Sequence, residues 1–95
     1  MAVKMKHVPG KKAGDVELYA LSTCGWCRKT KELLDSLGVE YDYVYVDLVE
    51  GEEADEVSKK LEKLNPSGSF PTICIDKKKV IVGFQEEKIR EALKK

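Results

Sequence analysis

The sequence predicts an α/β domain: a four-stranded mixed sheet flanked by three helices, in the order β-α-β-α-β-β-α. Three observations carry that prediction. Short apolar and aromatic runs alternate with stretches whose apolar residues recur at helical spacing. Strands separated by a helix imply a parallel, right-handed connection, whereas the last two runs are parted only by a polar turn and form an antiparallel hairpin. With 95 residues, 42% of them hydrophobic, there is material for one core and little room for a second domain.

Residues 1–15 (MAVKMKHVPGKKAGD) mix lysines with Pro9, Gly10 and Gly14. They read as a flexible N-terminal arm with a short extended piece at residues 5–8, leaving residues 16–95 as the domain. His7, the only histidine, reads as a bystander in a polar tail. Residues 16–21 (VELYAL) form the first strand. Ser22 and Thr23 are candidate N-caps for a helix that starts near Cys24. On that helix Trp26, Thr30, Leu33, Leu34 and Leu37 share a face, and Gly38 stands where a terminating glycine belongs.

Residues 41–46 (YDYVYV) alternate and make the second strand; without a basic stripe, their aromatics belong to core and sheet surface rather than to base stacking. A second amphipathic helix, starting around Gly51 or Glu52, carries Ala54, Val57, Leu61 and Leu64 inward. Its acidic opening (Glu50, Glu52, Glu53, Asp55) and basic end (Lys59, Lys60, Lys63) suit the helix dipole. Residues 65–69 are a loop by composition. Phe70-Pro71-Thr72 leads into a strand at 73–75, and proline is tolerated there because a strand's first residue need not donate to the ladder. A polar turn at 76–78, within which the lysines are solvated, returns the chain through a strand at 79–82. Gly83-Phe84 breaks the pattern before a last helix at 86–95, with Ile89, Ala92 and Leu93 inward.

Lysine plus arginine and aspartate plus glutamate both number 17, so nothing global attracts nucleic acid or an anionic membrane. Three cysteines are a poor count for a secreted disulfide framework. The N-terminus has no apolar signal core, and no run approaches the ~20 apolar residues of a membrane span. The expectation is a cytoplasmic protein, and in a reducing compartment a CxxC pair is more often catalytic or metal-binding than structural.

That pair is Cys24-Gly25-Trp26-Cys27, at the junction of first strand and first helix. A sulfur in the first helical turn lies near unpaired N–H groups and the positive end of the dipole, which favour thiolate, the nucleophile. Arg28 and Lys29 add positive potential. Cys27, one turn further in, is the more buried. Cys24 therefore attacks a disulfide, and Cys27 resolves the mixed disulfide. The other class of reading is metal handling. One CxxC gives two ligands, so two copies would share an iron–sulfur cluster through Cys24 with an added thiol, or Cys24, Cys27 and Cys74 would hold zinc. Cys74, in an apolar strand, reads first as a small buried hydrophobe.

Over residues 16–93 the chain resembles the glutaredoxins and glutaredoxin-like redoxins of the thioredoxin fold. The landmarks are Cys24-Gly25-Trp26-Cys27 after the first strand, Phe70-Pro71-Thr72 at the family's cis-proline, and Gly83-Phe84 before the last helix. Fifteen residues before the first strand are too few for the extra strand and helix of a full thioredoxin. The resemblance implies a thioredoxin-like, glutaredoxin-type sheet and a thiol–disulfide oxidoreductase that reduces protein or small mixed disulfides with no bound cofactor or metal. It implies that Pro71 is cis and faces the dithiol, that the Phe70 backbone pairs with the substrate, and that Thr72 lines the same groove, with Trp26, Gly83 and Phe84 completing the substrate site. The expected partners are disulfide-bearing proteins, ribonucleotide reductase among them, and the expected state is a monomer.

The pattern departs from the family in three places. Gly25 and Trp26 replace the usual proline and aromatic residue, a change associated in the family with occasional cluster binding. Leu21 stands where many glutaredoxins have a lysine for the glutathione carboxylate. Gly83-Phe84 replaces paired glycines, with Glu87 where an aspartate is common. Gly-Phe is closer to the redoxins that serve ribonucleotide reductase and draw electrons from a thioredoxin reductase, so the donor is glutathione or a reductase-supplied dithiol.

Overall fold

The computed structural model describes residues 5–12, 14–66, 70–76 and 78–93. Among them run β1 (Lys6–Val8), β2 (Val16–Ala20), α1 (Gly25–Leu37), β3 (Tyr41–Tyr45), α2 (Gly51–Leu64), β4 (Thr72–Ile75), β5 (Lys79–Val82) and α3 (Glu86–Ala92). Every residue of β2 except Glu17 is buried, as a strand covered on both faces requires. It accordingly lies at the centre of a sheet ordered β1-β3-β2-β4-β5. β3 pairs with it in parallel, through Leu18 and Tyr43, and β4 antiparallel, through Leu18 and Ile73. β1 and β5 complete the edges antiparallel.

The two-residue side-chain period of the strands builds two cores. Val16, Leu18, Ala20, Ile73, Ile75 and Ile81 face α1 and α3, meeting Cys27, Leu33, Leu34, Ile89 and Leu93. Tyr19, Val44 and Cys74 face α2, meeting Val57 and Leu61. Leu34 and Ile89 are wholly buried, each contributing about 1.5–3 kcal/mol by area removed from water. α1 ends at Gly38, whose φ of 68° is the left-handed cap expected there. α2 and the closing hairpin occupy the stretches the sequence predicts, but the connection through α2 is not the parallel one expected: β4 runs antiparallel to β2, and so to β3, and only β2 and β3, joined through α1, are parallel. No helix among the described residues is long and apolar enough to cross a membrane.

The sheet has five strands rather than the four expected. The additional one comes from the segment read as an arm: the extended piece expected at residues 5–8 is β1, paired with β3 from Lys6↔Tyr43 to Val8↔Tyr41. Lys-His-Val carries no apolar alternation; the strand is held by its backbone ladder, by His7 against Asp42 and Glu40, and by Val8 against the core on the α1 side. Further along, the Lys11 N–H donates to the Gly38 carbonyl at 2.7 Å and the Glu40 N–H to the Lys11 carbonyl at 2.8 Å. Gly10 permits that approach, since a Cβ there would lie 2.7 Å from the Gly38 oxygen. The inner face of α1 also differs by one residue. Cys27, Thr30, Leu33 and Leu34 are buried, whereas Trp26 is 58% exposed. Trp26 sits at the margin of the helical stripe, and the smaller Cys27 occupies the centre of the contact with the sheet.

Candidate active site

Past Ala20 the chain turns into α1 through Leu21, Ser22 and Thr23. Cys24 is itself the N-cap of α1, with φ −90° and ψ 120°, and its sulfur accepts the Cys27 N–H at 3.2 Å. The capping role expected of Ser22 or Thr23 thus falls to a cysteine. Its own N–H donates to the Leu21 carbonyl at 3.2 Å. Cys27 is 2% exposed, and its sulfur receives the Leu21 N–H at 3.5 Å. Cys24 is half-buried, and neither cysteine is in a disulfide.

These contacts drive the two thiols apart. The Cys24 thiol is lowered from its ordinary range, first by the hydrogen bond from the Cys27 thiol and further by the N–H groups of Cys27 and Trp26, against a partial loss of solvent. The Cys27 thiol is pushed up to about 12, chiefly by burial and then by the bond to Cys24. Stabilisation of the outer thiolate is therefore local hydrogen bonding at a helix start. Lys29, expected to add potential, holds its ammonium 4.9 Å from the centre of the Trp26 ring.

Trp26 stacks on Phe84, with ring centres 5.9 Å apart and planes at 27°. The Phe70–Pro71 bond is cis, as the resemblance implied. The Pro71 carbonyl accepts the Gly83 N–H at 2.8 Å, and Gly83 has a φ of 84°, a conformation that favours glycine. A continuous series of contacts thus joins the dithiol helix, through Trp26 and Phe84, to Gly83 and Pro71. Phe70 is half-buried and packs against both cores. Thr72 is fully buried, and its hydroxyl accepts the Asn65 side-chain amide at 3.1 Å. Its side chain is thus tied to Asn65, directly after α2.

Cys74 lies in the core on the α2 face of the sheet, while Cys24 and Cys27 lie against the α1 face. The sheet separates them, so a zinc site formed by all three cysteines is not available. His7 pairs with Asp42 at 2.7 Å and Glu40 at 3.3 Å beside the N-terminal end of β3. The dithiol lies beyond the C-terminal ends of β2 and β3.

Two residues of this region were not legible as site residues. Asn65 belongs to a loop read only by composition. Asp47 accepts the Ser22 N–H at 2.9 Å and the Ser22 hydroxyl at 2.6 Å. The available signal was its place directly after a parallel strand, at the carboxyl end where α/β proteins gather their functional groups.

A glutaredoxin family model matches residues 16–80. The crystal structure of Methanosarcina acetivorans methanoredoxin superposes with a TM-score of 0.91 at 52% identity, covering 98% of this chain and 98% of that one. The crystal structure of the glutaredoxin from Methanosarcina mazei Go1 gives a TM-score of 0.89 at 52% identity, covering 97% and 89%. An uncharacterized glutaredoxin-like 8.6 kDa protein in the rubredoxin operon of Clostridium pasteurianum is 35% identical over 82 residues, 84% of this chain and 99% of its own length. The thioredoxin-like fold, the extent of the family match and relatives of nearly equal length agree, and the chain belongs to the glutaredoxin family.

Proposed function

We propose that this protein reduces disulfides in other proteins, and small mixed disulfides, through dithiol exchange. The Cys24 thiolate attacks one sulfur of the substrate disulfide; a Cys24–substrate bond forms, and the departing sulfur takes up a proton. Cys27 then gives up its proton, attacks the Cys24 sulfur and displaces the second substrate thiol. Two electrons pass to the substrate, and a Cys24–Cys27 disulfide remains. A reductase-supplied dithiol or two molecules of glutathione return the electrons, so no bound cofactor or metal is required. Leu21, in place of the lysine expected for glutathione, favours the dithiol donor.

One observation carries this reading. Cys24 is half-buried and its sulfur accepts an N–H at 3.2 Å, while Cys27 beside it is 2% exposed. That asymmetry suits a nucleophile paired with a resolving thiol. In the same reading, Trp26, Phe70, Pro71, Gly83 and Phe84 form the substrate surface, with Thr72 as a buried support. The Phe70 backbone pairs with an extended substrate segment, and disulfide-bearing enzymes such as ribonucleotide reductase are its targets in the cytoplasm, where the protein acts as a monomer.

The test is anaerobic purification, a visible spectrum and a disulfide-reduction assay with each donor supplied separately, alongside a Cys27→Ser variant. A colourless monomer that turns over with a thioredoxin-reductase-type donor and stops without Cys27 is the expected result. Turnover with glutathione that survives loss of Cys27 would make it a monothiol enzyme. A brown dimer with little activity would refute the proposal in favour of cluster binding.

A further inference from the structure

One carboxylate holds the turn between β2 and α1 from outside. Asp47 takes two hydrogen bonds from Ser22, at 2.9 Å from the N–H and at 2.6 Å from the hydroxyl, one on each oxygen. Two bonds from one residue fix its orientation as well as its position. Leu21, adjacent to Ser22, touches both halves of the dithiol: its carbonyl accepts the Cys24 N–H and its N–H points at the Cys27 sulfur. Asp47 is itself presented from a fixed point, because the neighbouring Val46 N–H donates to the Ala20 carbonyl at 2.8 Å.

We propose that Asp47 is the positioning residue of the dithiol: through Ser22 and Leu21 it holds the turn on which both sulfurs rest, and its charge adds to what delays the reaction of Cys27. This rests on the dithiol reading above. The two Ser22 bonds hold the Asp47 carboxyl below the usual carboxylate range, so it is ionised at every pH at which thiols exchange. Its charge also pushes the Cys27 thiol up, as the smallest of the influences after burial and Cys24. The titratable groups bearing on Cys27 are Cys24 and Asp47; β2, β4 and α3 contribute Ala20, Ile73 and Ile89 to its cluster, all apolar. With Cys24 ionised, a second thiolate would face two negative charges, and Cys27 keeps its proton. Once Cys24 is in a mixed disulfide, the Asp47 charge remains. Cys27 then loses its proton to water and bonds to the Cys24 sulfur, and the bond from Cys24 to the substrate sulfur breaks as that sulfur leaves and is protonated.

The experiment is stopped-flow reaction of the reduced protein with a neutral dipyridyl disulfide. Attack by Cys24 releases one thiopyridone, and attack by Cys27 on the mixed disulfide releases the second. A wild type without a second release, or a Cys27→Ser variant that retains it, would overturn the dithiol reading and this proposal with it. If the second release is present and depends on Cys27, its pH midpoint decides. Asp47→Asn keeps an oxygen for Ser22 and removes the charge, so the midpoint moves about half a pH unit lower. Ser22→Ala keeps the carboxylate, so the midpoint does not move lower and the second release slows. In the wild type, added salt screens the exposed charge and moves the midpoint in the same direction as Asp47→Asn. An Asp47→Asn midpoint that stays in place, with or without a uniform loss of rate, refutes the proposal and leaves the dithiol reading intact. Should that variant not fold, a wild-type midpoint unmoved by salt refutes it equally.

Discussion

Replacing Gly25 by proline, the residue glutaredoxins usually carry between their cysteines, should stabilise the reduced protein. Gly25 is the first residue of α1, where the N–H has no partner within the helix and its loss costs little. A Cβ there meets nothing beyond its chain neighbours and its own helix backbone, since no other heavy atom lies within 4 Å of its position. The preceding Cys24, at φ −90° and ψ 120°, already occupies the extended region that a following proline demands. The substitution therefore acts on the unfolded chain, removing freedom worth about 0.4–1 kcal/mol. For a domain of 95 residues that converts to a rise in Tm of roughly 2–8 °C. Calorimetry of the reduced protein reads the shift. Alkylation of Cys24 against pH reads whether the Cys27 N–H still reaches its sulfur. A fall in Tm, or a Cys24 that needs higher pH to react, would show that the helix start is not built as described.

The same thiol asymmetry makes a second prediction: in the wild type, Cys24 should alkylate with a midpoint below that of an ordinary thiol, whereas Cys27 should stay unreactive until pH approaches about 12. Mass spectrometry of quenched samples distinguishes the two. Thr72→Val keeps the volume but removes the oxygen that accepts the buried Asn65 amide, and should cost about 1–2 kcal/mol in denaturant unfolding. At the sheet edge, Asp42 raises the His7 pKa above its ordinary 6.5. The sign follows: His7⁺ stabilises β1 fully below the unfolded pKa, and the contribution is lost as pH rises through the folded value. Protection of the β1 amides, measured as the exchange rate relative to the intrinsic rate at each pH, should therefore fall across that window, less so at high salt, and His7→Gln should abolish that fall. A His7 ring whose NMR titration is centred at or below 6.5 would refute this account.

Much of this architecture is legible along the chain because its causes are local. Helical spacing in Thr30, Leu33 and Leu34, the left-handed conformation at Gly38, and alternation in residues 41–46 each express a preference within a few residues. The dithiol is legible for the same reason: two cysteines one turn apart, after a strand and before a helix, have few other geometries open to them. Trp26 shows where spacing stops. Helical periodicity admits Trp26 or Cys27 to the stripe equally, and it is the packing of α1 on the sheet that buries Cys27 and leaves Trp26 58% exposed. β1 was recognisable only as an extended piece because its three residues have no apolar pattern. Its pairing rests on backbone groups, which every sequence possesses, and on His7 meeting Asp42 and Glu40, residues distant in the chain.

The sequence by itself determined the order of elements, the placement of Cys24 ahead of Cys27 at a helix start, and, through its family landmarks, the region around Pro71. Each follows from neighbours in the chain or from a motif a few residues long. Only the tertiary structure decided that Cys74 lies across the sheet from the dithiol, that Trp26 turns outward onto Phe84, and that Asp47 holds Ser22. These are relations between residues distant in sequence. They depend on strand register, which sends alternate side chains to opposite faces, and on strand order, which brings the ends of β2 and β3 together.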